Sequence, residues 1–348
     1  MFGAPVLYAS NSPSRVAAAD LDGDSRADLV VADSAGASVS VFLGARDGGF
    51  GARADYTAGG SPTALAVGLL PGDGVPDVVV AYSGSSAFGV LFGVGNGALQ
   101  APVTRSTGGG ANHLILARLD SDPALDLVIT HWNSSTIDVF RGTPDGGFVG
   151  TTSLGLANAH GLAVADLNGD GTPDIAATNY NAATVVSVYL GRGDGTFVLD
   201  RSYVSGGNWG SAISTGDFDR NGATDLAVAN YLSESLDVLL GQGDGGFVVS
   251  PTHYTLGGRA NDMVAADLDW DGTLDLAIAG YTGSVGTFHV LTGNGDGTFT
   301  AAATVQTGGQ WGNGVAVGDF NGDEKLDVAI ANLDSDNLSV FLNRSKPR

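Results

Sequence analysis

The sequence predicts an all-β protein, a seven-bladed β-propeller of four-stranded blades whose N-terminal strand completes the last blade. Three observations carry this expectation. First, the nine-residue acidic loop "DLNGDGTPD" at 166–174 has six counterparts: "DLDGDSRAD" at 20, "LLPGDGVPD" at 69, "RLDSDPALD" at 118, "DFDRNGATD" at 217, "DLDWDGTLD" at 267 and "DFNGDEKLD" at 319. Their starts lie 48 to 52 residues apart, the spacing of a repeat architecture. Second, the stretches between them are short and alternating, punctuated by Gly, Asp and Asn, with no helical periodicity. Third, the two ends of the chain carry complementary fragments of one repeat.

The fourth repeat shows the order of elements. "GLAVA" at 161–165 reads as the first strand, the acidic loop follows, and apolar "IAATN" at 175–179 reads as a buried second strand. "TVVSVYLG" at 184–191 alternates as a third strand, "RGDGTF" at 192–197 is a turn, and another extended stretch makes the fourth. Four strands in each of seven repeats give a propeller. The last repeat stops after "LSVFLN" at 338–343, without its turn and outer strand, whereas "FGAPVLYAS" from Phe2 matches "FGARADYTA" from Phe50. The first strand is therefore expected beside Val340 and Leu342, closing the ring and removing two exposed sheet edges. Residues 1–348 then form a single domain.

Composition narrows the function classes. Fifteen Lys and Arg stand against 37 Asp and Glu, a formal charge of −22, so the surface repels nucleic-acid phosphates and anionic membranes. No apolar run reaches the ~18 residues of a membrane span, and "MFGAPVLYAS" has neither a basic nor an apolar leader region. Membrane insertion and nucleic acid are thus not expected. Cysteine is absent, which removes disulfide and thiol chemistry.

The acidic loop, joined to the Gly-x-Gly-Asp-Gly-x-Phe turn of "GRGDGTF" at 191–197, "GQGDGGF" at 241–247 and "GNGDGTF" at 293–299, resembles the FG-GAP, or VCBS, repeat family. The resemblance covers essentially the whole chain. It implies a calcium-binding propeller like those of integrin α-subunit heads, fungal lectins and secreted bacterial proteins, and so a secreted or cell-surface protein. As to function it implies only a class of role. The "RGD" at 192–194 belongs to the turn consensus and is not read as an adhesion signal.

Oxygen side chains at positions 1, 3, 5 and 9 of a curled loop suit Ca²⁺, a hard cation that takes about six to eight oxygens. Five loops keep all four: Asp20, Asp22, Asp24, Asp28; Asp166, Asn168, Asp170, Asp174; Asp217, Asp219, Asn221, Asp225; Asp267, Asp269, Asp271, Asp275; and Asp319, Asn321, Asp323, Asp327. The second loop has Leu69 and Pro71 at positions 1 and 3, and in the third Arg118 takes position 1, its guanidinium expected where an ion would sit. Five calcium ions and two metal-free blades are predicted, the ions acting as staples of the hairpins. Seventeen carboxylates in the five loops would otherwise repel one another.

If the loops are scaffold, recognition lies at the other end of the innermost strands. Six residues before each loop stand Ser14, Thr63, Asn112, His160, Ser211, Asn261 and Asn313, all polar and expected to ring the channel on the opposite face. Two residues earlier come Ser12, Ser61, Gly110, Asn158, Trp209, Arg259 and Trp311. After the second strand come Ser34, Ser83, Trp132, Tyr180, Tyr231, Tyr281 and Leu333, with aromatics on blades three to six only. His113, His131 and His160 fall in the same sector. One asymmetric site is predicted from Asn112, His113, His131, Trp132, His160, Tyr180, Trp209, Tyr231, Asn261, Tyr281 and Trp311, since flat rings stack on sugar or peptide faces while amides orient them.

The leading expectation is a monomeric, extracellular, calcium-stabilised recognition module for a carbohydrate or an extracellular protein. Two rivals remain. One is a polysaccharide lyase with His113, His131 or His160 as base and Tyr180 or Tyr231 as acid, for which only Arg259 and Arg15 lie near enough to bind a uronate. The other is a structural domain of a larger surface protein.

Overall fold

The computed structural model describes residues 2–70, 72–131, 134–181, 183 and 185–345. Among these the chain forms seven antiparallel four-stranded sheets, and the only helical element is one 3₁₀ turn, Leu333–Ser335. In blades one to six the strands run outward from the axis in chain order. The innermost strands are Pro13–Ala19, Pro62–Gly68, Ala111–Ala117, Ala159–Ala165, Gly210–Gly216, Arg259–Ala266 and, in blade seven, Gly312–Gly318. Each packs against the innermost strand of the next blade, and the last against the first, so the ring is closed.

Closure is made by the chain's own beginning. Blade seven has the order Gly312–Gly318, Asp327–Asn332, Asn337–Phe341 and, outermost, Val6–Ala9. Val6 lies opposite Val340 and Tyr8 opposite Leu338, while the Gly3 amide donates to the Leu342 carbonyl at 3.4 Å. Phe2 bridges Asn343 as Phe50 bridges Gly44 in blade one, so the fragment from Phe2 takes the place its sequence predicts. Its rings enter the core: Phe2 meets Phe288 edge-on at 5.2 Å, and Tyr8 meets Phe50 at 5.4 Å.

The core lies between blades. Each hydrophobic cluster is shared by two neighbouring sheets, as where Leu236 and Val238 of blade five pack with Met263 and Ile278 of blade six. The second strands carry most of this burial. In Asp174–Asn179, for example, every residue is buried, which is why "IAATN" is apolar without alternation.

Every innermost strand carries a β-bulge near its start, at Ser14, Thr63, Asn112, His160–Gly161, Ser211, Asn261 and Asn313. A bulge breaks the strict in-and-out alternation of a strand and re-aims side chains. In blade one both the bulged residue and its successor turn toward the axis, so that Ser14 and Arg15 line one cavity.

Candidate functional site

The acidic loops form at one end of the innermost strands. The position-1 carboxylate folds each intact loop: Asp166 accepts the amides of Gly169 and Asp170 on Oδ1 and that of Gly171 on Oδ2, at 2.7 to 3.2 Å. Asp20, Asp267 and Asp319 do the same in their loops, and Asp217 accepts the Asn221 and Gly222 amides. In three loops carboxylate oxygens of Asp20, Asp22 and Asp28, of Asp217, Asp219 and Asp225, and of Asp267, Asp269 and Asp271 lie within 4.8 Å of one another. That convergence of hard oxygen donors fits a divalent cation such as Ca²⁺. The fourth and seventh loops offer an amide at position 3, Asn168 and Asn321, beside their three carboxylates. In the first and seventh loops Asp24 is paired with Arg26, and Asp323 with Lys325 at 3.0 Å.

The position-9 aspartate does something the loop spacing does not reveal. In all seven blades it is buried and accepts two backbone amides, one from loop position 2 and one from the end of the third strand or just beyond it. Asp174 holds Leu167 at 2.9 Å and Gly191 at 2.8 Å, and Asp225 holds Phe218 and Gly241, both at 2.7 Å. Asp77 and Asp126, in the two degenerate loops, hold Leu70 and Gly93, and Leu119 and Gly142. At Gly191 only glycine fits, because a Cβ there would lie 2.2 Å from the Pro173 carbonyl oxygen, whereas in blade seven Asn343 supplies the equivalent amide to Asp327 at 2.7 Å. Burial pushes Asp77, Asp225, Asp275 and Asp327 up to about 6 against the pull of these amides, and neighbouring loop carboxylates push the same way.

Pro71 of the second loop lies outside the described residues. In the third loop the expectation for Arg118 is corrected. Arg118 is exposed, and it is Arg141 of the third strand that pairs with Asp120 at 3.1 Å, while also donating to the Asp194 carbonyl of blade four. The longer reach comes from a β-bridge between Asp120 and Asp194 that brings the two blades together there. Asp194 itself takes the Thr196 amide at 3.0 Å, so its "RGD" is held as a turn.

At the opposite end of the innermost strands, ~20 Å away for six residues of strand, the seven polar positions converge on the axis. They line a cavity of about 450 Å³ together with Arg15, Ser34, Ser61, Ser83, Tyr180, Tyr231 and Leu333. Most of these side chains are also a girdle linking each blade to the next. Ser14 donates to the Pro62 carbonyl at 2.9 Å, Thr63 to Ala111 at 3.1 Å, Ser211 to Ala260 at 2.7 Å, Asn261 to Gly312 at 2.9 Å and Asn313 to Ser14 at 2.8 Å. His160 Nδ1–H donates to the Ser211 carbonyl at 2.8 Å, which sets its tautomer. The girdle skips Asn112. Thr130 of the second strand links blades three and four instead, donating to the His160 carbonyl at 2.9 Å, and the buried Asn112 Nδ2 has no hydrogen-bond partner.

One sector of the rim is aromatic. His160 and Tyr180 stack at 5.0 Å, Tyr180 meets Trp209 at 4.8 Å, Trp209 lies nearly parallel to Tyr231 at 6.2 Å, and Tyr281 meets Trp311 at 4.9 Å. The Tyr231 and Tyr281 hydroxyls are hydrogen-bonded, and Arg259 lies 4.9 Å over the Tyr231 ring while reaching both hydroxyls at 3.3 Å. The six rings and Arg259 thus form an arc from blade four to blade seven. Its backbone is informative. Ser12, Asn158, Trp209 and Trp311, at one repeat position, all have φ between 52° and 61°, and the carbonyl of each accepts the amide following the second strand. Blades one, four, five and seven share this left-handed corner, while Ser61, Gly110 and Arg259 at the same position do not adopt it; Asn tolerates it, whereas a bulky Trp is strained there.

Of the remaining sequence-based candidates, Trp132 lies outside the described residues. His131 does not reach the cavity: it is fully buried inside blade three, with Nε2 3.0 Å from Asp138 Oδ2. Its place at the end of the second strand turns it into the sheet interface. His113 lies deeper in the channel than the rim, facing a cavity of about 240 Å³ shared with Asp262. Burial, with Arg15 nearby, holds His113 and His160 down to about 3. Arg15, weighed in the sequence only as a neighbour of the site, is a cavity residue, and the signal that finds it is the recurrent bulge.

The FG-GAP-like repeat model matches residues 20–80, 118–177, 166–228, 217–278 and 276–330. No curated protein sequence matches the chain. Among solved structures, a chain of the crystal structure of BBS1N in complex with ARL6DN, soaked with lead, is 14% identical with a TM-score of 0.69, the alignment covering 99% of this chain and 98% of that one. A functionally unknown protein from Desulfotomaculum acetoxidans DSM 771 is 17% identical with a TM-score of 0.66, covering 91% and 92%. At these identities both likenesses concern the fold alone.

Proposed function

Because the chain belongs to the FG-GAP-like repeat family, we propose that it is an extracellular recognition module, stapled by about five calcium ions, that binds a carbohydrate or a protein on the face opposite its acidic loops. The observation that carries this reading is the arc of Tyr180, Trp209, Tyr231, Tyr281 and Trp311 beside the axial cavity, with two tryptophans held in strained backbone. Rings lining an aqueous concavity supply flat apolar contact area, and the cavity edge supplies hydroxyls and amides that orient a ligand. The calcium staple is supported by the converging carboxylates of three loops.

The lyase reading draws less support. A general base works best with a pKa near the working pH, and His113 and His160 are held near 3 while His131 is sealed in its blade.

A glycan array and a panel of immobilised extracellular-matrix proteins, each probed with the calcium-loaded protein and with Trp209→Ala and Tyr231→Ala, test the proposal. Binding lost in both variants supports it. Binding that both variants retain sinks the assignment of this face, and unsaturated uronate products released on incubation with polysaccharide would replace it with the lyase.

A further inference from the structure

Within the axial cavity the distribution of charge and of unused donors is uneven. Arg15 is the one formally charged side chain among the fourteen described residues that line it, in a protein of net charge −22. It is only 8% exposed, with Nη1 donating to the Asn313 carbonyl at 2.7 Å and to the Ser14 carbonyl at 3.2 Å, and its buried Nε has no hydrogen-bond partner. Asn112, 7% exposed, likewise keeps its Nδ2 unpartnered, at the one place where the girdle of inter-blade hydrogen bonds skips a residue. Buried donors without acceptors are costly, and native proteins rarely keep two in one cavity unless something else accepts from them. No carboxylate lines this cavity. Asp262, which feels the Arg15 charge from deeper in the channel, lines the second cavity and accepts the Val315 and Met263 amides, both at 3.0 Å.

We infer that the axial cavity takes the end of a saccharide chain that carries a carboxylate, the side chains of Arg15 and Asn112 turning on binding so that their now sealed Nε and Nδ2 donate to the carboxylate. This rests on the recognition reading above and names its ligand class. The rest of the cavity suits a polyhydroxylated ring: Ser34, Ser61 and Ser83 offer hydroxyls on one side, and Tyr180 and Tyr231 offer rings on the other. About 450 Å³ holds one or two sugar units, and a cavity at the axis of a closed ring admits a chain end rather than a chain interior.

Isothermal titration of the calcium-loaded protein with a uronic-acid trisaccharide and with its carboxyl-reduced neutral counterpart tests this, at fixed calcium and ionic strength. The acid is expected to bind about tenfold tighter or more, as for a charge-assisted hydrogen bond. Arg15→Gln should abolish the preference. Because Arg15 also ties two carbonyls and its loss could unfold the ring, Asn112→Leu is the second variant. It breaks no inter-blade link, so it should melt at or above the wild-type temperature and still lose most of the preference for the acid. Equal affinity for both saccharides, or a preference that survives Asn112→Leu, overturns the inference and leaves the recognition reading standing. Binding of an acidic peptide in place of either saccharide overturns the ligand class only, and if neither saccharide binds and the array and protein panel are also empty, both readings fall.

Discussion

The Gly93 amide donates to Asp77 Oδ1 at 2.8 Å in a blade whose acidic loop has lost its first two oxygen ligands. The last aspartate of the loop is therefore a clamp between two connections of the blade, whatever else it ligates. Asp77→Ala leaves the buried Gly93 amide unsatisfied, while the Leu70 amide keeps the Gly68 carbonyl at 3.1 Å, and should cost about 2 kcal/mol. Denaturant unfolding with and without calcium checks this: the loss should be the same in both, and a loss seen only with calcium would make Asp77 a ligand.

Calcium removal should act on the intact loops. Excess chelator is expected to lower the melting temperature sharply, because an ion bound only to the folded state stabilises it by mass action. Native mass spectrometry should count about five ions. Asp217→Ala with Asp219→Ala should remove one of them, while Asp120→Ala, whose partner is Arg141, should remove none.

The N-terminal strand is a structural member of blade seven. Deleting residues 2–9 withdraws Phe2 and Tyr8 from the core and bares the edge of Asn337–Phe341, and should cost about 5 kcal/mol or more. Thermal melts check the loss, and a synthetic peptide of residues 2–10 should restore part of it. A truncation that melts like the full chain would remove the ring-closure role.

Trp311 is 37% exposed and touches Tyr281 from a left-handed corner. Trp311→Gly relieves backbone strain of about 1 kcal/mol and forfeits a ring contact of similar size, so stability should change by less than about 1 kcal/mol. Ligand binding on that face should weaken at the same time. Unchanged binding, measured by titration with any ligand found on the array, would make the ring purely structural.

Acid titrates two groups of residues against each other. His113 and His160 have folded values near 3, below the 6.5 of the free side chain, so their contribution is complete above about pH 6.5 and lost as pH falls toward 3. Asp77, Asp225, Asp275 and Asp327 have values near 6, above 3.8, so their contribution is complete below about pH 4 and lost as pH rises through 6. In chelator the melting temperature should change little from pH 7 to 5 and fall below about pH 4. Imidazole resonances followed by NMR provide the direct check; a titration of His113 or His160 near pH 6 would contradict the burial argument.

Much of the site was legible because the repeat is a ruler. Counting six residues back from each acidic loop finds all seven residues that converge on the axial cavity, and counting forward finds Tyr180 and Tyr231. The ruler reports position along a strand and fails for direction. His131 is at the right height and points into its blade, and Arg118 sits in the loop while Arg141 makes the ion pair. The double role of the last loop aspartate was hidden as well, since its second amide comes from Gly191, 17 residues on in the fourth repeat.

Period, alternation and the matching chain ends determined the propeller and its closure by themselves, because each is a pattern that comparison of one repeat with another reveals. The tertiary structure alone decided what faces the axis. The bulge that brings Arg15 into the cavity, the Thr130 bond that links blades three and four where Asn112 does not, and the ring contacts across blades four to seven all join residues from different strands or blades. Such contacts depend on where a closed ring places blades about 50 residues apart in sequence, and no local pattern encodes that distance.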